Sequence, residues 1–149
     1  LIAHRDHPLV QGIVSPSDHP LPFGDLRRLE RERLMMLPED WRLSKLLYNM
    51  FSVQSVEPTN ILTTTNNTTA INLVAENMGF TFLQESGIHR TPYMDRLVFF
   101  TVGDPPLTSP LAVVYKKNGF VSPAARTFMD LIKDYYRQFD RGSALQAGV

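Results

Sequence analysis

The chain has 149 residues, of which 43% are hydrophobic and 20% charged, and its 15 basic and 15 acidic residues give a formal net charge of zero. This composition is typical of one globular domain that can bury a core without metal or disulfides. The absence of Cys excludes thiolate nucleophiles, iron–sulfur clusters and Cys-containing zinc sites. A pI near 7.1 without a basic stripe argues against direct binding of a DNA backbone.

The first third of the chain predicts short strands around a long loop. Leu1–Ala3 is an apolar strand, and because the sequence starts without Met or a leader, its beginning is expected to be cut. Val10–Gly24 is a loop rich in Gly, Ser, Asp and Pro. Asp25 caps a short helix, and Leu34–Leu37 is a buried strand.

Two helices and two further strands follow. Asp40 is the N-cap candidate of the first helix, and Ile61–Thr65 has the β-branched enrichment of a strand. Asn66–Thr68 begins the second helix, Gly79 is its predicted terminating residue, and Phe80–Leu83 is the next strand. The apolar face of the first helix comprises Leu43, Leu46, Leu47, Met50 and Phe51.

The last third predicts two strands and a long helix. Leu97–Val102 is apolar on both faces, as in a central strand, and Leu111–Tyr115 is the next strand. Ser122 caps the terminal helix, whereas Arg141–Val149 is expected to be a frayed tail. The apolar stripe of this helix comprises Ala125, Phe128, Met129, Ile132, Tyr135, Tyr136 and Phe139.

This order of elements indicates an α/β protein with an open, Rossmann-like sheet, at least partly parallel, and helices on its faces. In such sheets, ligands bind beyond the carboxyl ends of the strands. Segments 38–44 and 65–68 follow two of the predicted strands. Their candidate ligand-binding residues are Arg42, Leu43, Ser44, Asn66, Asn67 and Thr68.

Both segments are helix N-termini, where free N–H groups and the helix dipole attract an anion. Hydroxyl and amide side chains add hydrogen bonds there, and Arg42 can pair with a carboxylate. The alternative is that Asn67 and Thr68 only cap a helix and that Arg42 is a solvated surface charge. Both interpretations stay open.

Catalytic chemistry has little support in the sequence. There is no G-x-S-x-G nucleophile motif and neither of the familiar phosphate-binding loops. His4, His7 and His19 lack the spacing and the nearby carboxylates of a metal site. We therefore expect no enzyme activity, no cofactor and no metal.

A family resemblance rests on pieces that run through most of the chain. The pieces are His7-Pro8-Leu9, Gly24-Asp25-Leu26, Thr68 to Leu83 with Leu73-Val74-Ala75 and Gly79-Phe80, and Ser122 to Ile132 with Pro123-Ala124-Ala125-Arg126. Their order and spacing resemble the C-terminal effector-binding domain of LysR-type transcriptional regulators. The resemblance implies one lobe of a type 2 periplasmic-binding-protein-like domain, in which a small-molecule inducer binds between two α/β subdomains.

The resemblance also implies a division of the chain. Residues 1–9 would be a crossover strand, 10–110 the second subdomain, 111–139 a return strand and helix toward the first subdomain, and 140–149 a flexible tail. The inducer contacts of the family fall on the two loops already selected, at Arg42, Leu43, Ser44, Asn67 and Thr68.

The function that the resemblance implies is ligand sensing in a cytoplasmic bacterial regulator that forms homodimers or homotetramers. Its inducer would be a small anion such as a carboxylate, with no membrane partner. DNA would be bound only by an N-terminal winged helix-turn-helix that this chain lacks. An extracytoplasmic solute-binding protein of similar fold is the first alternative, and an α/β hydrolase or transferase is the second.

Overall fold

The computed structural model describes residues 1–13, 20–108, 112–116 and 119–144. The chain divides into two compact units, Leu1–Thr108 and Ser109–Val149. The strands of the first unit are β1 (Ile2–His4), β2 (Leu21–Pro22), β3 (Arg33–Met36), β4 (Asn60–Thr63), β5 (Phe80–Thr81) and β6 (Leu97–Thr101). Its helices are α1 (Arg42–Val53), α2 (Asn67–Ala75) and two 3-10 helices, Leu26–Leu29 and Glu85–Arg90, and the second unit contains α3 (Pro123–Ala144).

The six strands form one mixed sheet in the order β2-β6-β1-β5-β3-β4. β3 pairs in parallel with β4 on one side and with β5 on the other. β1 runs antiparallel to both of its neighbours, β5 and β6, whereas β2 is parallel to β6. The prediction of an α/β fold with a partly parallel sheet is therefore confirmed.

The two faces of the sheet carry separate hydrophobic cores, and β3 contributes to both. Leu34 and Met36 face the core that contains Leu47 and Phe51 of α1. Met35, which points the other way because side chains alternate along a strand, packs in the core that contains α2. The α2 side chains of that second core are Ala70, Ile71, Val74 and Ala75. Thus α1 and α2 cover opposite faces of the sheet.

The ends of the two helices differ from the sequence-based predictions. Asp40 is not the N-cap of α1, because residues 38–41 still turn, with the Trp41 N–H donating to the Pro38 carbonyl, and Trp41 takes the cap position. Gly79 does not terminate α2 either. The C-cap of α2 is Glu76, and the next residue, Asn77, has the left-handed conformation (φ 57°) that commonly ends a helix.

The predicted strand Leu111–Tyr115 is wrong over its described part, since residues 112–116 form no strand. A strand needs a neighbour to pair its backbone groups, and no described segment pairs with this one. The Ser122 cap is confirmed, because its Oγ accepts a hydrogen bond of 3.2 Å from the Ala125 N–H. The helix continues to Ala144, and the flexibility expected of residues 140–149 stays a prediction.

Parts of three predictions concern residues that the structure does not describe, and one of these residues is Leu111 of the predicted strand. Residues 14–19 of the long loop and residues 145–149 of the tail lie outside the described ranges. Among the helices of the described part, none has the length and the apolar character that crossing a membrane requires.

Gly79 provides a test of how closely the chain packs at the start of β5. Its φ is +139°, and a Cβ at this position would collide with the backbone carbonyl of Arg33. We expect Gly79→Ala to lower the free energy of unfolding by about 3 kcal/mol, through backbone strain and the forced displacement of β3. Equilibrium unfolding in urea measures this loss.

Gly12→Ala is the matched control for Gly79→Ala. Gly12 also has a positive φ, +81°, but nothing lies within 4 Å of an added Cβ. Its substitution should cost about 1 kcal/mol, the backbone penalty alone. Equal losses in the two variants would contradict the packing argument.

Candidate functional site

The two segments selected from the sequence lie side by side in the structure. β3 and β4 are paired so that Met36 faces Thr63 at their carboxyl ends. The pairing continues one residue further, where the Thr64 N–H donates to the Met36 carbonyl at 2.9 Å. Each strand leads into a helix, and these helices cover opposite faces of the sheet. The adjacent strand ends are therefore a topological switch point, where open α/β sheets form a crevice.

The N-terminus of α2 is capped by Asn66. Its Oδ1 accepts hydrogen bonds from the N–H groups of Thr68 at 2.8 Å and Thr69 at 3.3 Å. Its own N–H donates to the Thr64 Oγ1 at 3.2 Å. The Asn66 side chain thus performs the capping role that the sequence left open. The side chains of Asn67 and Thr68 are exposed at the same helix end.

The N-terminus of α1 has a different construction. Trp41 occupies the N-cap position without a side-chain hydrogen bond to the first turn. Arg42 is exposed, whereas Leu43 is half-buried and packs against the first core. Ser44 is buried, and its hydroxyl donates to the Leu37 carbonyl at 2.9 Å. This hydrogen bond therefore holds the first turn of α1 against Leu37, the residue that follows β3.

Asn66 is exposed but uses its side-chain oxygen as the helix cap, which leaves three exposed residues of the predicted set at the switch point: Arg42, Asn67 and Thr68. Arg42 provides a cation, and the other two provide an amide and a hydroxyl, which suit a small anion with several acceptor oxygens. The helix dipoles of α1 and α2 add positive potential at their N-termini. The arrangement is equipped for binding and orienting an anion, and ligand contact by the six predicted residues stays a prediction.

Trp41 was missed in the sequence-based selection. It is the only Trp of the chain, it is 42% exposed, and it stands next to Arg42 at the start of α1. An indole does not belong to the side chains that cap helices, so capping rules gave no reason to choose it. The available signal was its position within segment 38–44, which follows the predicted strand Leu34–Leu37.

Burial, and secondly the negative charge of Glu39, raises the pKa of the Tyr48 phenol on α1, so this hydroxyl stays protonated at neutral pH. Within residues 1–13, 20–108, 112–116 and 119–144, no group of three or more His, Cys, Asp or Glu side chains could hold a metal ion.

Comparison with known proteins matches this fold to one family. Residues 1–137 match the model of the LysR substrate binding domain. The regulatory domain of CcmR from Synechocystis PCC6803, in complex with 2-PG, has a TM-score of 0.61 and 22% identity, over 87% of this chain and 58% of that chain. The effector-binding domain of BenM, with its effector benzoate, has a TM-score of 0.58 and 23% identity, over 92% and 58% of the two chains.

Two further proteins are similar to this chain. The effector-binding domain of QuiR, in complex with shikimate, has a TM-score of 0.56 and 16% identity, over 92% of this chain and 60% of that chain. The HTH-type transcriptional regulator YybE of Bacillus subtilis (strain 168) is 23% identical over 130 residues. That match covers 85% of this chain and 43% of YybE, so the chain spans less than half the length of this relative.

Ser44→Ala tests the structural role of the buried hydroxyl. The substitution leaves the Leu37 carbonyl without its donor in a buried place, which should lower the free energy of unfolding by about 1–3 kcal/mol. Urea unfolding measures the change. Arg42→Ala, two residues earlier and exposed, should change it by less than about 0.5 kcal/mol. Equal stability of Ser44→Ala and the unsubstituted chain would show that the hydroxyl does not fasten the helix.

Proposed function

Because the chain belongs to the LysR substrate-binding domain family, we propose that it is the ligand-sensing part of a transcription regulator, with its inducer bound at the carboxyl ends of β3 and β4. The observation that carries this proposal is the pairing of two helix N-termini at one switch point. Met36 and Thr63 end adjacent strands, and the helices that follow leave on opposite faces.

The chemistry of the exposed side chains favours an anionic inducer, and a carboxylate in particular. Arg42 provides the charge, and Asn67 and Thr68 provide neutral hydrogen-bonding groups beside it. The relatives support this class, since benzoate and shikimate, in complex with BenM and QuiR, are both carboxylates. Trp41 offers an apolar surface next to the charge, which suits an inducer with a flat or ring-shaped body.

Sensing would operate by a shift between conformational populations. An inducer that binds one arrangement of the regulator more tightly than another raises the population of that arrangement, by as much as the two affinities differ. In our proposal the arrangements are those of a homodimer or homotetramer in the cytoplasm. DNA is contacted by a winged helix-turn-helix outside this chain, and the name of the relative YybE, an HTH-type regulator, supports that part. The domain itself catalyses no reaction.

Substitutions at the switch point test the proposal in the complete regulator. Benzoate and shikimate are the probes, benzamide is the neutral control for benzoate, and calorimetric titration gives the affinity. Arg42→Gln should weaken carboxylate binding about tenfold or more, because a charge-assisted hydrogen bond is worth about 1.5–3 kcal/mol. A double substitution of Asn67→Ala and Thr68→Ala should weaken the inducer response and leave DNA binding intact.

Arg33→Gln is the matched control, because it removes the same charge from the opposite end of β3. Its carboxylate affinity should equal that of the unsubstituted regulator. If Arg42→Gln and Arg33→Gln bind carboxylates equally well, or if benzamide binds as tightly as benzoate, the anion site is not at this switch point.

A further inference from the structure

One histidine at the end of β1 and one in the turn after it perform a task usually done by Asn or Asp. The Nδ1 of His4 accepts a hydrogen bond from the Asp6 N–H at 3.2 Å, and the Nδ1 of His7 accepts one from the Leu9 N–H at 3.3 Å. In both cases the side chain accepts from the amide two residues later, as in an Asx turn. An imidazole can do this only while its Nδ1 carries no proton.

His7 is held in one tautomer by its surroundings. Its side chain is 12% exposed, and its ring meets the ring of Phe80 edge-on, with centroids 4.5 Å apart. Its Nε2 lies 3.4 Å from a carboxylate oxygen of Glu32. Since Nδ1 accepts from Leu9, the ring hydrogen of the neutral imidazole must be on Nε2, where it faces Glu32.

The turn that His7 organises, residues 7–10, connects β1 to the first core. The Val10 N–H donates to the His7 carbonyl at 2.9 Å, and the Val10 side chain is fully buried in that core. The Leu9 carbonyl accepts a hydrogen bond of 2.8 Å from the Arg28 guanidinium. Loss of the Leu9 amide contact would therefore loosen a buried residue and a link to the first 3-10 helix.

We propose that residues 7–10 form a proton-sensitive clasp, in which protonation of His7 at Nδ1 removes the acceptor of the Leu9 amide and releases Val10 from the core. The proton comes from solvent and ends on Nδ1, so the ring becomes a cation with two donors and no acceptor. The Leu9 N–H then faces another N–H, and the turn opens.

The groups that face His7 act in opposite directions on this step. Glu32 favours the imidazolium of His7, whereas His4 disfavours it. Burial of the ring is the largest influence, and the net result is a lowered pKa of His7. The unfolded chain therefore takes up this proton at higher pH than the folded chain. Stability from the clasp is complete above about pH 6.5 and falls as the pH drops toward the lowered folded pKa.

Amide hydrogen exchange of Leu9 tests the clasp in the 149-residue chain. We expect the protection of this amide, corrected for the intrinsic exchange rate, to fall about fivefold between about pH 7.5 and about pH 5, as expected when a hydrogen bond worth about 1 kcal/mol is lost. His7→Asn places an amide oxygen where Nδ1 accepted and cannot titrate, so its Leu9 protection should stay the same at both pH values.

His7→Gln is the converse variant. Its amide NH₂ can still reach Glu32, but it offers no acceptor at the place of Nδ1, so Leu9 should be poorly protected at both pH values. Unchanged protection in the unsubstituted chain, or the same acid-dependent loss in His7→Asn, would overturn the proposal.

The ring itself provides a measurement that needs no variant. The ¹⁵N shifts of the His7 imidazole should show the Nε2–H tautomer at about pH 7.5 and should titrate over the same pH range as the Leu9 protection. An Nδ1–H tautomer would contradict the clasp. Glu32 precedes β3, so the clasp is at the end of the sheet opposite the proposed inducer site, and failure of carboxylate binding would leave this test unaffected.

Discussion

The pairing of β3 on both sides is the constraint on which the rest of the first unit depends. β3 lies between β4 and β5 and contributes Leu34 and Met36 to one core and Met35 to the other. Parallel strands need crossover connections. The chain passes from β3 through α1 to β4, and then through α2 back across β3 to β5. Because both crossovers are right-handed and run in opposite directions along the sheet, their helices lie on opposite faces. The same geometry that buries β3 therefore opens the switch point at its carboxyl end.

Most of the first unit could be predicted from the sequence because its signals are local and agree with each other. The apolar run of β3, the helical spacing in α1 and the Asn66–Thr68 start of α2 each appear within a few residues. The strand predicted at Leu111–Tyr115 failed over residues 112–116 for the opposite reason. The β-branched residues of this segment favour an extended conformation, but a strand forms only where a neighbouring backbone pairs with it.

The candidate site, too, could be predicted from the sequence only in part. The sequence placed both helix starts at strand ends, and the structure brings those ends together. The sequence could not show that the Ser44 hydroxyl donates to the Leu37 carbonyl, or that the Asn66 side-chain oxygen accepts from two backbone amides. Both depend on the direction of a side chain. The clasp at His7 was also hidden, since Glu32 and Phe80 are distant from it in sequence.

The central claim is that an anionic inducer binds where α1 and α2 begin, and amide chemical shifts during a carboxylate titration test it most directly. With ¹⁵N-labelled protein and benzoate or shikimate as the titrant, the account predicts that the largest shift changes fall on the amides of residues 41–44 and 66–69. Residues 4–10, at the other end of the sheet, should remain unchanged at constant pH. Largest changes outside the two helix starts would contradict the account.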